Sequence, residues 1–181
     1  MGPARRPVLR NELDVLYSEE QLAEAVKRLG AEISRDYQNK DLAIVGVLKG
    51  SFIFLADLVR HVQADCTVDF LGVSSYGRRQ DMEGIVQITS DLTLPIRNRD
   101  VLLVEDIIDT GLTIRYLMDN LATRKPNSMK VCTLLHREDE GECHVNIDYT
   151  GFSFRDHYVI GYGMDYAGLH RNIPFIGYKS D

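Results

Sequence analysis

The run VLLVEDIIDTGLT at residues 101–113 sets three carboxylates, Glu105, Asp106 and Asp109, between an apolar stretch and the turn Thr110-Gly111-Leu112-Thr113. That order suits one kind of ligand. A helix opening at the Thr-Gly turn presents unpaired backbone N–H groups and the positive end of its dipole, and with two hydroxyls it holds a phosphate without any lysine or arginine. Glu105 and Asp106 can accept hydrogen bonds from vicinal ribose hydroxyls or help order a magnesium ion. The ligand these residues predict is a ribose 5-phosphate.

Such a turn needs a buried strand before it and a helix behind it. Residues 101–104 form a short continuous apolar run, typical of a strand covered on both faces, and Ile114, Leu117, Met118 and Leu121 then recur at helical spacing. The same unit occurs earlier. Residues 42–47 (LAIVGV) end in Leu48-Lys49-Gly50-Ser51, and Phe52, Leu55, Val59 and Val62 share one helical face. Residues 131–135 predict a third buried strand, and residues 158–162 and 175–178 two short ones. Ser18-Glu19-Glu20-Gln21 reads as a capping box, with Tyr17 and Leu22 as a hydrophobic staple and Leu22, Val26, Leu29 and Ile33 as the apolar stripe of a first helix. Residues 68–75 and 85–92 are β-rich and flank a polar stretch, which predicts a hairpin with a mobile tip.

Strands alternating with helices predict an α/β fold with a doubly wound, mainly parallel sheet flanked by helices, whose ligand lies beyond the carboxyl ends of the strands. The loops after Val47, Val104 and Leu135 are therefore expected to meet in one crevice. The 181 residues are read as a single domain, with a core at about 38–160 and a small hood from about 1–37 and 161–181.

Composition excludes several classes. With 21 Lys and Arg against 27 Asp and Glu the formal charge is −6, which disfavours nucleic acid and anionic membrane as main partners. Cys66, Cys132 and Cys143 form no C-x-x-C pair, so neither a disulfide framework nor a cysteine zinc site is expected, and a reducing cytoplasm fits. His136, Cys143 and His144 match no standard metal spacing. No apolar run approaches membrane-spanning length, residues 1–13 carry no apolar signal core, and Arg5, Arg6 and Arg10 read as a solvated tail. A Walker loop is absent, and Gly161-Tyr162-Gly163 continues to Tyr166 where a dinucleotide fingerprint needs glycine.

The 101–113 run resembles the phosphoribosyl pyrophosphate signature of type I phosphoribosyltransferases. LKGS at 48–51 resembles that family's pyrophosphate loop, SSYG at 74–77 its mobile catalytic loop, and YVIGYGMDYAGLHR at 158–171 its purine-and-magnesium segment. The last two point to the hypoxanthine-guanine branch. The resemblance implies purine salvage: the 5-phosphoribosyl group passes from phosphoribosyl pyrophosphate to N9 of hypoxanthine or guanine, giving IMP or GMP and pyrophosphate, with Mg2+ as cofactor. A xanthine-preferring transferase and a non-catalytic sensor of phosphoribosyl pyrophosphate or nucleotide are the competing readings. Relatives are commonly dimers or tetramers, so a homodimer or homotetramer is implied as well.

By resemblance, Asp109 is the general base. Glu105, Asp106, Asp109, Thr110, Gly111, Leu112 and Thr113 hold the ribose phosphate, and Lys49 and Gly50 with Arg171 hold the pyrophosphate across a Leu48–Lys49 peptide that relatives can make cis. Ser75 and Tyr76 belong to a lid formed by the tip at 74–84. Tyr158 stacks on the purine, Val159 pairs with its edge through the backbone, Asp165 borders its C2 substituent, and Glu105, Asp106 and Asp165 serve the magnesium. One departure is visible. The family usually has Lys where this chain has Arg137, aimed at the purine 6-oxo group; Arg still donates to a carbonyl and still rejects a 6-amino group, but its fork is longer and differently aimed.

Overall fold

The computed structural model describes residues 12–76, 85–138, 145–155 and 157–180. Its elements run β1 (Asp14–Tyr17), α1 (Glu19–Asp36), β2 (Leu42–Leu48), α2 (Phe52–Val59), β3 (Cys66–Tyr76), β4 (Ile85–Ser90), β5 (Asp100–Ile108), α3 (Leu112–Ala122), β6 (Ser128–Arg137), β7 (Tyr149–Phe154), β8 (Val159–Ile160) and β9 (Ile176–Tyr178). Six strands form the main sheet in the order β4-β3-β2-β5-β6-β7. All its pairings are parallel except β3 with β4, which closes the edge as an antiparallel hairpin.

Period-two alternation along the central strands creates two apolar layers. Leu42 and Ile44, Leu102 and Val104, and Leu134 face Leu22, Val26, Leu29 and Ile33 of α1 with Phe54, Leu55 and Leu58 of α2. Ala43, Val45, Val101, Leu103 and Val131 face Ile114, Leu117 and Leu121 of α3 on the opposite side. Each fully buried Leu or Ile contributes about 1.5–3 kcal/mol of transfer free energy, so both faces are strongly specified. The doubly wound sheet is as expected, and α1 begins at the expected capping box: Gln21 N–H donates to Ser18 Oγ while Ser18 N–H donates to Gln21 Oε1 at 2.9 Å.

Several boundaries move. Of the expected α2 stripe, Leu55 is buried and Val59 and Val62 pack partly buried on the same core, but Phe52 is exposed, Phe54 and Leu58 are the other buried residues, and the helix stops at Val59. Tyr17, expected to staple α1, packs against the core cluster that holds Leu22 and also stacks on Phe152 of β7 with ring centroids 4.1 Å apart. Strand β5 does not end at Val104. It continues through the acidic run to Ile108, because β6 keeps pairing with it through Glu105↔Thr133, Ile107↔Leu135 and Ile108↔His136.

A second, three-stranded sheet in the order β1-β9-β8 joins the two ends of the chain. Strands β1 and β7 have no counterpart in the periodicity reading. Residues 19–36, within the segment expected to form the hood, pack as α1 on the main sheet. The tip at 77–84 lies outside the described residues, as do the side chains of Ser75 and Tyr76; the flanking backbone pairs as Ser74↔Gln87 and Tyr76↔Ile85.

Candidate active site

Two cavities adjoin at the carboxyl ends of β2, β5 and β6. The first, of about 230 Å³, is lined by Val47, Leu48 and Glu105 and then by the continuous run Ile107 to Ile114. Here Gly111 adopts a left-handed conformation (φ 77°, ψ 3°) and opens α3 with no side-chain cap. Only glycine takes that conformation at no steric cost, and the turn leaves the first N–H groups of α3 without intrahelical partners. Thr110, Leu112 and Thr113 therefore flank an anion-sized hollow at the positive end of a helix dipole.

The second cavity, of about 250 Å³, is lined by Gly50, Asp106, Ile107, Arg137, Tyr158, Val159, Met164, Asp165 and Arg171. Tyr158 is 57% exposed, so its ring is no core residue. Its hydroxyl donates to the Asp165 carbonyl at 2.9 Å, and Tyr166 meets it edge-on at 5.9 Å. A face is thus left for a planar ligand. Val159 lies on β8, an edge strand of the small sheet, paired only with β9.

Adjacent acids on an extended strand point to opposite faces. Glu105 lines the first cavity and Asp106 the second, yet their two carboxyls still contact each other. Burial first, and then the neighbouring Asp106, pushes the Glu105 carboxyl well above the usual carboxylate range. Asp106 lies against the backbone of Gly50, where a Cβ would collide with its carboxylate.

Arg137 ends β6 and lines the second cavity. Its Nη2 donates to the His157 carbonyl at 3.0 Å, its guanidinium lies 5.2 Å from the Phe154 ring centroid, and its Nε is 3.8 Å from Asp109 Oδ2. It is therefore a wall of the crevice, not a member of the polar surface run that follows. Asp109 lines the first cavity and is 57% exposed at its side chain.

Asp165 is held on both oxygens: Arg171 Nη2 approaches Oδ1 at 2.5 Å and Gly168 N–H donates to Oδ2 at 2.6 Å. Arg171 also donates to the Gly163 carbonyl at 2.6 Å. Lys49 is exposed, lines neither cavity and makes no ion pair with a described residue, while its neighbours Leu48 and Gly50 line one cavity each. The Leu48–Lys49 peptide is cis.

For magnesium, Glu105, Asp106 and Asp165 supply hard oxygen donors, yet no group of three or more His, Cys, Asp or Glu able to hold a metal forms among the described residues. Mg2+ is usually held by one or two carboxylates together with substrate phosphates. Periodicity and spacing missed Met164 and Ile107; both are ordinary apolar residues, and only the fold makes Ile107 the partition between the cavities.

A doubly wound sheet whose switch-point crevice joins an anion-holding helix start to an aromatic-walled cavity defines a protein of nucleotide chemistry. Comparison with known proteins is specific. The model of the phosphoribosyl transferase domain matches residues 12–167. The hypoxanthine-guanine phosphoribosyltransferase of Bacillus subtilis (strain 168) is 44% identical over 163 residues, spanning 90% of this chain and 91% of the relative. The structure of a hypoxanthine-guanine phosphoribosyltransferase from Bacillus anthracis superposes with a TM-score of 0.86 at 43% identity, covering 91% of this chain and 97% of that one. A hypoxanthine phosphoribosyltransferase from Staphylococcus aureus gives 0.90 at 40% identity, covering 98% and 97%. The chain belongs to the phosphoribosyltransferase family and is an enzyme of pentosyl transfer.

Proposed function

We propose that the enzyme transfers the 5-phosphoribosyl group from phosphoribosyl pyrophosphate to N9 of hypoxanthine or guanine, giving IMP or GMP and pyrophosphate. The observation that supports it best is the uncapped start of α3 at left-handed Gly111, set beside Asp109 and sharing the Ile107 wall with an Arg137–Tyr158 cavity. In this reading the N–H groups and hydroxyls at residues 110–113 hold the 5′-phosphate, Glu105 and Asp106 hold the ribose hydroxyls, and the purine lies against Tyr158 with its edge on Val159.

The chemistry follows from those positions. The N9 lone pair forms the bond to C1′ while the C1′–O bond electrons leave with pyrophosphate, through a transition state with oxocarbenium character. Asp109 takes the proton that the imidazole ring loses. Lys49, the Gly50 backbone and Arg171 stabilise the charge gathering on the departing pyrophosphate. Magnesium, when bound through Glu105, Asp106 or Asp165, neutralises phosphate charge. Ser75 and Tyr76 belong to the segment that excludes water from the activated ribose. Arg137 donates to the 6-oxo group and leaves a 6-amino group without an acceptor.

A cytoplasmic homodimer or homotetramer accords with the family, and no helix among the described residues is long and apolar enough to cross a membrane. The test is turnover with hypoxanthine, guanine, xanthine and adenine under saturating phosphoribosyl pyrophosphate and magnesium. Turnover of hypoxanthine and guanine with adenine inert is expected; comparable activity on adenine refutes the oxopurine assignment. Because Arg137 replaces the family's usual Lys, a preference for xanthine is the one alternative with a residue behind it, and the same assay ranks it.

A further inference from the structure

The chain segment behind Gly50 carries a hydrogen bond that the transfer chemistry does not use. Tyr162 is a buried residue between two glycines, Gly161 and Gly163, and all three have positive φ: 103°, 48° and 104°. For glycine that conformation is free, whereas for tyrosine it is disfavoured and persists only when surrounding contacts over-determine it. The contacts are present. Tyr162 N–H donates to Ile173 O at 2.8 Å, Gly163 N–H to Arg171 O at 3.0 Å, and the Tyr162 hydroxyl donates to Asp57 Oδ2 at 2.7 Å. Asp57 is on α2, the helix that the Leu48-Lys49-Gly50-Ser51 loop leads into.

What this strap presses on is the loop itself. A Cβ at Gly163 would collide with the Gly50 carbonyl, and a Cβ at Gly50 would collide with the Asp106 carboxylate, so strap, loop and acid are stacked with no spare space. The same Gly163 carbonyl accepts from Arg171, which in turn pairs with Asp165.

We propose that Tyr162 and Asp57 are positioning residues: their hydrogen bond clamps α2 to the 161–165 strap and so sets the height of the Gly50 backbone and of Arg171 toward the pyrophosphate. Neither touches substrate. The inference rests on the assignment of Gly50 and Arg171 to pyrophosphate made above. Its signature is selective: loosening the clamp shifts the pyrophosphate end and leaves Val159, paired with β9, and Arg137, bonded to the His157 carbonyl, in place around the purine.

The experiment compares steady-state constants of wild type, Tyr162→Phe, Asp57→Ala and Asp57→Asn. For Tyr162→Phe and Asp57→Ala, the KM for phosphoribosyl pyrophosphate is expected to rise about tenfold, as befits a hydrogen bond to a charged acceptor. The KM for hypoxanthine stays within about twofold. Asp57→Asn keeps an acceptor for the tyrosine hydroxyl and restores most of the loss. Tyr149→Phe is the matched control, because Tyr149 donates to Asp36 at 2.7 Å on the far edge of the sheet and lines neither cavity; it lowers thermal stability and moves neither KM. An unchanged KM for phosphoribosyl pyrophosphate in both Tyr162→Phe and Asp57→Ala overturns the clamp. So does a parallel rise in both KM values like that of a generally loosened enzyme. Should Tyr162→Phe not fold, the Asp57 pair decides the question. A wild type without transferase turnover would overturn the functional assignment itself, a result distinct from an active wild type whose variants behave normally.

Discussion

Replacing Gly111 by alanine separates the phosphate cradle from the rest of the site. At φ 77° and ψ 3° the residue lies in the left-handed region, where an L-residue costs about 1–2 kcal/mol. For a chain of this size each kcal/mol shifts the melting temperature by roughly 2–4 °C, so Gly111→Ala is expected to melt about 2–8 °C lower. The ligand effect is larger. If the chain relieves the strain by turning the first amides of α3, one N–H no longer reaches the phosphate; a hydrogen bond to a charged group is worth about 1.5–3 kcal/mol, or roughly 10- to 100-fold in affinity. Calorimetric titration with IMP and with inosine supplies the internal control, because the two differ only in the 5′-phosphate. The variant should lose affinity for IMP by that factor while its affinity for inosine stays within about twofold. If IMP binds the variant as tightly as wild type, or if both ligands weaken together, the start of α3 is not the phosphate site.

Asp109→Asn, which keeps shape but loses the base, should lower turnover by about 10²- to 10⁴-fold with the circular dichroism spectrum unchanged; near-normal turnover would reject Asp109 as the base. Arg137→Ala should raise the KM for hypoxanthine and guanine by about tenfold, one charged hydrogen bond's worth, with little change for phosphoribosyl pyrophosphate; Arg137→Lys should reorder hypoxanthine, guanine and xanthine, and an unaltered ranking would mean that the guanidinium fork does not read the base. The Tyr149 hydroxyl, helped by Lys130, holds the Asp36 carboxyl below its ordinary value. That stabilisation is complete above the unfolded pKa of about 3.9 and is lost as pH falls through the lower folded value. The melting-temperature gap between wild type and Asp36→Asn should therefore be widest near neutral pH and shrink below about pH 4; a gap constant across that range would show that the pair contributes nothing through charge.

Much of this molecule is written in short-range pattern. A buried strand is a run of apolar residues, a helix N-terminus is a capping box or a Thr-Gly turn, and both signals are contained within a dozen residues. For that reason the parallel sheet, the capping box of α1 and the crevice-lining stretch after β5 were all legible from residue order. Glu105 and Asp106 were legible as acids, but not as acids that line different cavities while their carboxyls stay in contact. Their direction depends on β6 holding the strand extended through Ile108, and acidic residues carry no strand signal of their own.

What only the tertiary structure decided are the relations between segments distant in sequence. Strand β1 acquires its partner from β9, some 160 residues away. Arg137 comes within 3.8 Å of Asp109 because β5 and β6 are parallel neighbours, and Asp165 finds its counter-charge in Arg171 because a tight turn folds the chain back on itself. Tyr162 reads locally as core; its bond to Asp57 exists because α2 packs beside the strap. Local sequence specifies which groups the chain carries and which element each belongs to, since those follow from dihedral preference and burial of single residues. Which groups meet follows from strand order and close packing, properties of the whole chain and of no segment in it.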